Sequence, residues 1–307
     1  MARHFLTMTD VSDAELRALL REAGRLKRHP AQGRRTLANR TVALVFQKPS
    51  MRTRVAFEVA VLQLGGSVTY LGQEDIRLGQ REPIRDVARV LSRYVHGIVA
   101  RTFSHHDVQE FARYASCPVI NGLSDLVHPC QALADLFTIQ ERFGRVSGLT
   151  VAYVGDGNNV LHSLLEGCAA LGVNVAVSTP AGYRPDASIW RAAARRAKTH
   201  GASLRWDADP RRAVRGADVV YTDVWVSMGQ ERERAARLRA FRTYQLNAAL
   251  LKHAAADCRI MHCLPAHRGE EITDELMESP RSLIVEQAEN RLHVQKALLR
   301  FLFGSQR

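Results

Sequence analysis

The chain has 307 residues, of which 46% are apolar and 24% charged. That length suggests two domains at roughly 150 residues each, and that composition excludes disordered, collagen-like and coiled-coil proteins. Its 43 basic and 31 acidic residues leave a net charge of +12, which favours anionic partners: nucleic acid, a membrane surface, or small phosphorylated and carboxylated substrates. No apolar run approaches the roughly 18 residues of a membrane span, and the first residues lack the apolar core of a signal peptide, so no membrane partner is expected. Five irregularly spaced cysteines without a C-x-x-C pair fit a reducing cytoplasm.

The elements alternate along the chain. Residues 41–46 form a short apolar run that reads as a buried parallel strand, broken by Pro49 and Ser50. Val55, Val59 and Leu62 then recur at helical spacing until Gly65 and Gly66 stop the helix. Ile84, Val87, Ala88, Leu91, Tyr94 and Val95 mark an amphipathic helix feeding a strand at 97–100, with Arg101 at its carboxyl end. A strand at 118–121 and a helix at 131–143 follow, and 144–148 reads as a link. The pattern then restarts: a strand at 150–154, a Gly-Asp-Gly turn, a helix through Leu171, and strands at 173–177, 218–222, 259–263 and 282–285. A last helix, 287–303, is long enough to return to the first half. The expected fold class is α/β, with two doubly wound parallel-sheet domains and the C-terminal helix packed back on the first. The expected boundaries are 1–143 with 287–307, and 148–286.

Open parallel sheets bind ligands beyond the carboxyl ends of their strands, where loops lead into helix N-termini. Ser50-Met51-Arg52-Thr53-Arg54 is such a loop. Its backbone N–H groups, hydroxyls and guanidiniums suit a phosphate, against the plainer reading of a Ser cap followed by solvated arginines. Two cations in a first helical turn oppose the helix dipole, so an anion or nearby acids must compensate. His128-Pro129-Cys130-Gln131 precedes a helix containing Asp135, and its imidazole and amide, with Arg101, suit polarisation of a carbonyl; a lone loop histidine is otherwise structural. Gly155-Asp156-Gly157-Asn158-Asn159 resembles a dinucleotide loop but lacks the third glycine and a ribose-binding acid, whereas Asn159 at a helix start suits an amino-acid carboxylate. Asp223, Ser227 and Gly229 in a strand-end loop suit an ammonium group, and Cys263 reads as a buried thiol. His262, Cys263 and His267 match no standard zinc spacing, so no metal is expected. The segment 231–242 reads as a solvated helix of interleaved charges.

Taken together these segments resemble the carbamoyltransferase family. Ser-x-Arg-Thr-Arg (50–54) and His-Pro-x-Gln (128–131) mark that family in general; Asp-x-Trp-x-Ser-Met-Gly (223–229) and His-Cys-Leu-Pro (262–265) mark its ornithine branch, and all occur in order. The resemblance implies carbamoyl phosphate and L-ornithine as substrates, citrulline and phosphate as products, no cofactor, and a homotrimer with sites at subunit interfaces. It implies that Ser50, Arg52, Thr53 and the Met51 backbone hold the phosphate. Arg101, His128 and Gln131 would contact the carbamoyl group, and Arg291 would complete that pocket. Asn159, Asp223, Ser227 and Met228 would bind ornithine's α-amino and carboxylate groups. Cys263, the implied proton acceptor, and the Leu264 carbonyl would lie beside the reacting amine and carbamoyl group, which makes Cys263, Arg101 and His128 the catalytic set. Two positions depart from the family pattern. Met51 stands where many relatives carry Thr, and Arg77 where they carry a Gln or His that reaches a neighbouring subunit's phosphate pocket. Other acceptors, such as putrescine, acetylated ornithine or aspartate, are the nearest alternative. No helix-turn-helix, RNP or zinc-finger signature supports nucleic-acid binding, so no nucleic-acid partner is expected.

Overall fold

The computed structural model describes residues 2–79 and 81–304. The chain divides into two compact units, Met1–Phe137 with Glu289–Arg307, and Thr138–Ala288. The divisions fall inside two helices rather than in the Gly144–Gly148 link.

In the first unit, α1 (Asp13–Arg28) opens on a capping box in which Ser12 and Glu15 satisfy each other's backbone N–H. Then come β1 (Thr41–Phe46), α2 (Met51–Gln63), β2 (Ser67–Leu71), α3 (Gln73–Ile76), α4 (Ile84–Tyr94), β3 (Gly97–Arg101), α5 (His105–Tyr114), β4 (Val119–Leu123) and the start of α6 (Pro129–Phe143). The sheet is parallel, in the order β2-β1-β3-β4. β1 and β3 are apolar on both sides because both their faces are covered, the usual state of a central parallel strand. Gly97 leaves room for the last helix: a Cβ there would come within 2.4 Å of the Phe303 ring. Arg40 Nη1 also donates to the Phe303 carbonyl at 3.1 Å.

The second unit runs β5 (Thr150–Val154), α7 (Asn159–Leu171), β6 (Asn174–Ser178), α8 (Ala187–Thr199), β7 (Leu204–Trp206), α9 (Pro210–Val214), β8 (Val219–Thr222), α10 (Arg234–Phe241), α11 (Ala248–Leu251), β9 (Arg259–His262) and α12 (Asp274–Met277); α13 (Ile284–Gly304) begins here. Its sheet is also parallel, in the order β7-β6-β5-β8-β9. α7 is apolar nearly all round and is buried from Val160 to Leu171 except at Glu166. A helix of that composition belongs inside a core. Gly172, at φ 74°, ends it in the left-handed conformation that glycine adopts without strain.

Two expectations are corrected. Residues 282–285 do not form a strand: Ser282 makes a single bridge to Ile260, and Ile284 already opens α13. An apolar run this short reads equally well as the buried first turn of a helix. The segment 231–242 is solvated only in part: a short 3₁₀ turn leads into the helix α10, whose Arg237 and Phe241 are buried while most of the rest is exposed. Two further strands, β2 and β7, carry little sequence signal, since both are edge strands with at most half-buried residues.

In each sheet the strand order reverses once, between β1 and β3 and between β5 and β8. The loops leaving adjacent strands there run to opposite faces and leave a crevice beyond the carboxyl ends. Arg52, in the first turn of α2, and Arg101, at the end of β3, flank the first reversal, and the loops that carry Asn158 and Asp223 flank the second.

Candidate functional site

At the first reversal, Ser50 caps α2: its Oγ accepts from the Thr53 N–H at 3.3 Å and donates to Thr53 Oγ1 at 3.1 Å. Thr53 is fully buried, and Arg291 from α13 donates to its Oγ1 at 2.7 Å. Arg101 ends β3 at a register shift against β4, where Ala100 pairs Asn121 but Arg101 pairs Leu123. Such a bulge re-aims a side chain. Burial, and then the positive charges of Arg291 and Arg52, push Arg101 down to about 9, so it is still charged at neutral pH. Burial and the same three arginines hold His128 well below its usual range, so its imidazole is neutral. The first loop's other arginine has a different role. Arg54 pairs with Glu58 at 2.9 Å and lies 3.7 Å over the Tyr70 ring. Of the two first-turn cations, one is answered by an acid and the other joins a cluster of like charge.

Gln131 is buried one turn beyond His128 and donates from Nε2 to Asp135 Oδ1 at 2.9 Å. A carboxylate only accepts, so Asp135 fixes the amide orientation and leaves Gln131 Oε1, an acceptor, without a partner among the described residues. Gln131 is therefore placed to accept an N–H rather than to polarise a carbonyl. Cys130, whose Sγ lies 3.4 Å from the Asn121 carbonyl, is pushed up to about 12 by burial and is an inert thiol.

At the second reversal, Asp223 leaves β8 with its carboxylate buried. Its Oδ1 accepts from Val224 N–H (2.8 Å) and from Cys263 Sγ (2.9 Å), and its Oδ2 from Asn158 Nδ2 (2.7 Å). Cys263 Sγ thus lies against the carboxylate as a hydrogen-bond donor. The following residue, Leu264, sits at φ 60°, with its N–H donating to His262 Nδ1 at 2.8 Å. His262 Nε2 lies 3.1 Å from Glu271 Oε1, so both ring nitrogens of His262 are engaged within its own loop. Asp156, in the loop after β5, is pushed up to about 6 by burial, with the charge of Asp223 adding to the rise and that of Arg237 opposing it. Arg237 Nη1 donates to Asp156 Oδ2 at 2.9 Å and to the Trp225 carbonyl at 3.1 Å.

The residues expected from the sequence therefore gather as follows. Arg52, Arg101, His128 and Arg291 share one electrostatic neighbourhood, with Ser50 and Thr53 at its helix start and Gln131 one turn on. Asp223, Cys263 and Leu264 form a second group, with Asn159 one residue past the cap. Ser227 and Met228 lie on a more exposed turn, where Gln230 Oε1 accepts from the Ser227 N–H at 3.0 Å. Met51 is 71% exposed. Arg77 is not in the arginine cluster: it lies exposed on the turn after α3, at φ 38°, paired with Glu74 at 3.5 Å. Sequence reasoning missed Asn158, Asp156 and Arg237. Asn158 left a readable signal, an Asn just before an apolar helix.

Residues 3–141 match the family model described as the aspartate/ornithine carbamoyltransferase carbamoyl-P binding domain, and residues 147–302 match the Asp/Orn binding domain of the same family. The chain belongs to the aspartate/ornithine carbamoyltransferase family. It is 54% identical to the ornithine carbamoyltransferase of Gloeobacter violaceus, over 97% of this chain and 95% of that one. It is also 54% identical to that of Acidothermus cellulolyticus, over 99% and 98%. The solved ornithine carbamoyltransferase of Pyrococcus furiosus matches with a TM-score of 0.96 at 50% identity, over 100% of this chain and 98% of that one.

Proposed function

We propose that this chain transfers the carbamoyl group of carbamoyl phosphate to the side-chain amine of L-ornithine, giving L-citrulline and phosphate. The observation that carries this reading is the convergence of three guanidiniums on a neutral histidine in the unit that matches the carbamoyl-phosphate model.

The residues suit the reaction. The amine lone pair attacks the carbonyl carbon, negative charge grows on the carbonyl oxygen, and the C–O bond to phosphate breaks as phosphate leaves with the electron pair. Arg52, Ser50, Thr53, Arg291 and the first-turn N–H groups of α2, including that of Met51, receive the phosphate. Arg101 and the His128 N–H stabilise the oxyanion. Gln131 Oε1 and the Leu264 carbonyl accept the carbamoyl N–H groups. Asp223 holds ornithine's α-ammonium, with Asn159, Ser227 and Met228 completing its recognition. An alkyl amine titrates near ~10 and must shed a proton before it attacks. Cys263 serves as proton acceptor in its thiolate form, its own proton having left to solvent before Asp223 pairs with the α-ammonium. The departing phosphate takes the second amine proton once the new C–N bond has formed.

The enzyme acts in arginine metabolism, in the cytoplasm, as a homotrimer in which Arg77 reaches a neighbouring phosphate pocket. Five cysteines outside any disulfide support the compartment, and apolar residues exposed along α2 (Met51, Val55 and Leu62) support self-association. A colorimetric citrulline assay tests the reaction. Arg52→Ala and Cys263→Ala are each expected to lose about 10²–10³ in kcat/KM for ornithine. Undiminished citrulline formation by both variants, or a wild type that prefers putrescine, acetylornithine or aspartate, contradicts the reading.

A further inference from the structure

Asn158 divides its amide between two tasks. Its Oδ1 caps α7 by accepting from Val160 N–H (3.0 Å) and Leu161 N–H (3.2 Å), and Tyr153 Oη lies 3.4 Å away. Its Nδ2 donates to Asp223 Oδ2 at 2.7 Å. The orientation is forced. Helix N–H groups can only donate and so claim the oxygen, which turns the NH₂ to Asp223, a group that can only accept. Asp223 thus has one oxygen held by Val224 and Cys263 and the other by Asn158.

We propose that Asn158 is a positioning residue for ornithine recognition: it locks the start of α7 to the Asp223 carboxylate, so that the acid meets the substrate's α-ammonium in one fixed orientation. The proposal rests on the reading of Asp223 as the α-ammonium partner. The physical need is clear from what surrounds that carboxylate. Asp223 is 5% exposed, and a second buried carboxylate, Asp156, lies close enough to sense its charge. Arg237 neutralises Asp156 through a 2.9 Å bond, but the groups that hydrogen-bond Asp223 itself are Cys263, the Val224 N–H and Asn158. Without Asn158 Nδ2 the outer oxygen loses its hydrogen bond, and only the two bonds to Oδ1 are left to resist turning of the carboxylate.

Two variants separate this role from helix capping. Asn158→Asp keeps a good cap, because Asp ranks with Asn at that position, but it exchanges the donor for a carboxylate facing Asp223. Two acids that close cannot both ionise, so one keeps its proton to higher pH. Asn158→Ser keeps a cap oxygen, adds no charge, and replaces the amide NH₂ that meets Asp223 with a hydroxyl on a shorter side chain. The measurements are kcat and KM for ornithine, and the calorimetric Kd of 2-aminopentanoate, which has ornithine's α-carbon end without its reacting amine. The kinetics are run with carbamoyl phosphate saturating and the Kd is taken with inorganic phosphate saturating, while calorimetric melting together with the Kd of phosphate checks that both units are folded.

A hydrogen bond to a charged group corresponds to about 10- to 100-fold in binding. Both variants are therefore expected to raise ornithine KM and 2-aminopentanoate Kd by about that factor, with kcat changed less than about threefold and phosphate affinity unchanged. In Asn158→Asp alone, the pH dependence of ornithine KM moves to higher pH. Retained phosphate binding with ornithine KM and 2-aminopentanoate Kd within twofold of wild type, in the Ser variant, overturns the proposal. If the Asp variant also loses phosphate binding, it has misfolded and the Ser variant decides. A wild type that makes citrulline but does not bind 2-aminopentanoate removes the Asp223 reading first, and this proposal with it.

Discussion

A histidine set among three arginines has little freedom in its charge. His128 is buried, and Arg291, Arg101 and Arg52 all act against its protonation, so it enters the reaction as a neutral donor. A neutral imidazole polarises a carbonyl without adding a fourth cation to a crowded site. The same arrangement costs stability in acid. The unfolded chain takes up this proton near its ordinary value of about 6.5, while the folded chain resists it far below. Unfolded protein therefore binds more protons as pH falls through 6.5, and stability drops by up to about 1.4 kcal/mol by pH 5.5. Burial also depresses His4, His105 and His293, so the wild type is best compared with His128→Gln. Urea unfolding from pH 7.5 to 5.5 is expected to show the wild type losing about 1.4 kcal/mol more than the variant; equal losses contradict the assignment. The sequence placed His128 and the Ser50–Arg54 loop at helix starts, because strand-end loops and caps are local patterns. It did not reveal the charge state, which depends on Arg291, a residue brought near only by the fold.

At the scale of elements, what could be read was what periodicity writes down. Buried central strands such as β1 and β3 are runs of apolar residues, and α4 shows its buried Ile84, Val87 and Ala88 at helical spacing. The edge strands β2 and β7 were not legible because their burial is partial; at 231–242 the helix was legible, but the burial of Arg237, set by a partner distant in sequence, was not. α10 shows the consequence. Its arginines look like a solvated face, yet Arg237 is 6% exposed and is tied to Asp156 and the Trp225 carbonyl. Removing one member of a buried ion pair leaves the other charge uncompensated and costs about 3–5 kcal/mol. Arg237→Met is expected to fall in that range, since Asp156 would then stand buried beside Asp223 without its counter-charge. Asp156→Asn in the same chain removes the stranded carboxylate and should restore much of the loss. A double-mutant cycle by urea denaturation checks this, and costs that simply add would show that the pair is not coupled.

For the molecule as a whole, the net charge of +12 is resolved by position more than by number. Many basic residues pair locally, as Arg54 does with Glu58 and Arg3 with Glu15, and these exposed pairs add little. The repulsion that matters lies where Arg52, Arg101 and Arg291 face one another, because burial there denies them solvent screening. A dianion in that place relieves three charges at once, and only the folded first unit can offer it such a place. Binding to the folded state alone adds RT ln(1 + [L]/Kd), about 2.7 kcal/mol at a hundredfold excess over Kd. For a unit of this size that raises Tm by about 5–10 °C. Calorimetric melting with inorganic phosphate is expected to show that rise, and sodium chloride at equal ionic strength to give far less, since a diffuse salt atmosphere screens buried charges poorly. Arg52→Ala should melt with a reduced phosphate response, having lost one of the three cations that make the anion welcome. A phosphate response no larger than that of chloride, or one unchanged in Arg52→Ala, would mean that the cluster is balanced from within and that the positive charge serves some other end.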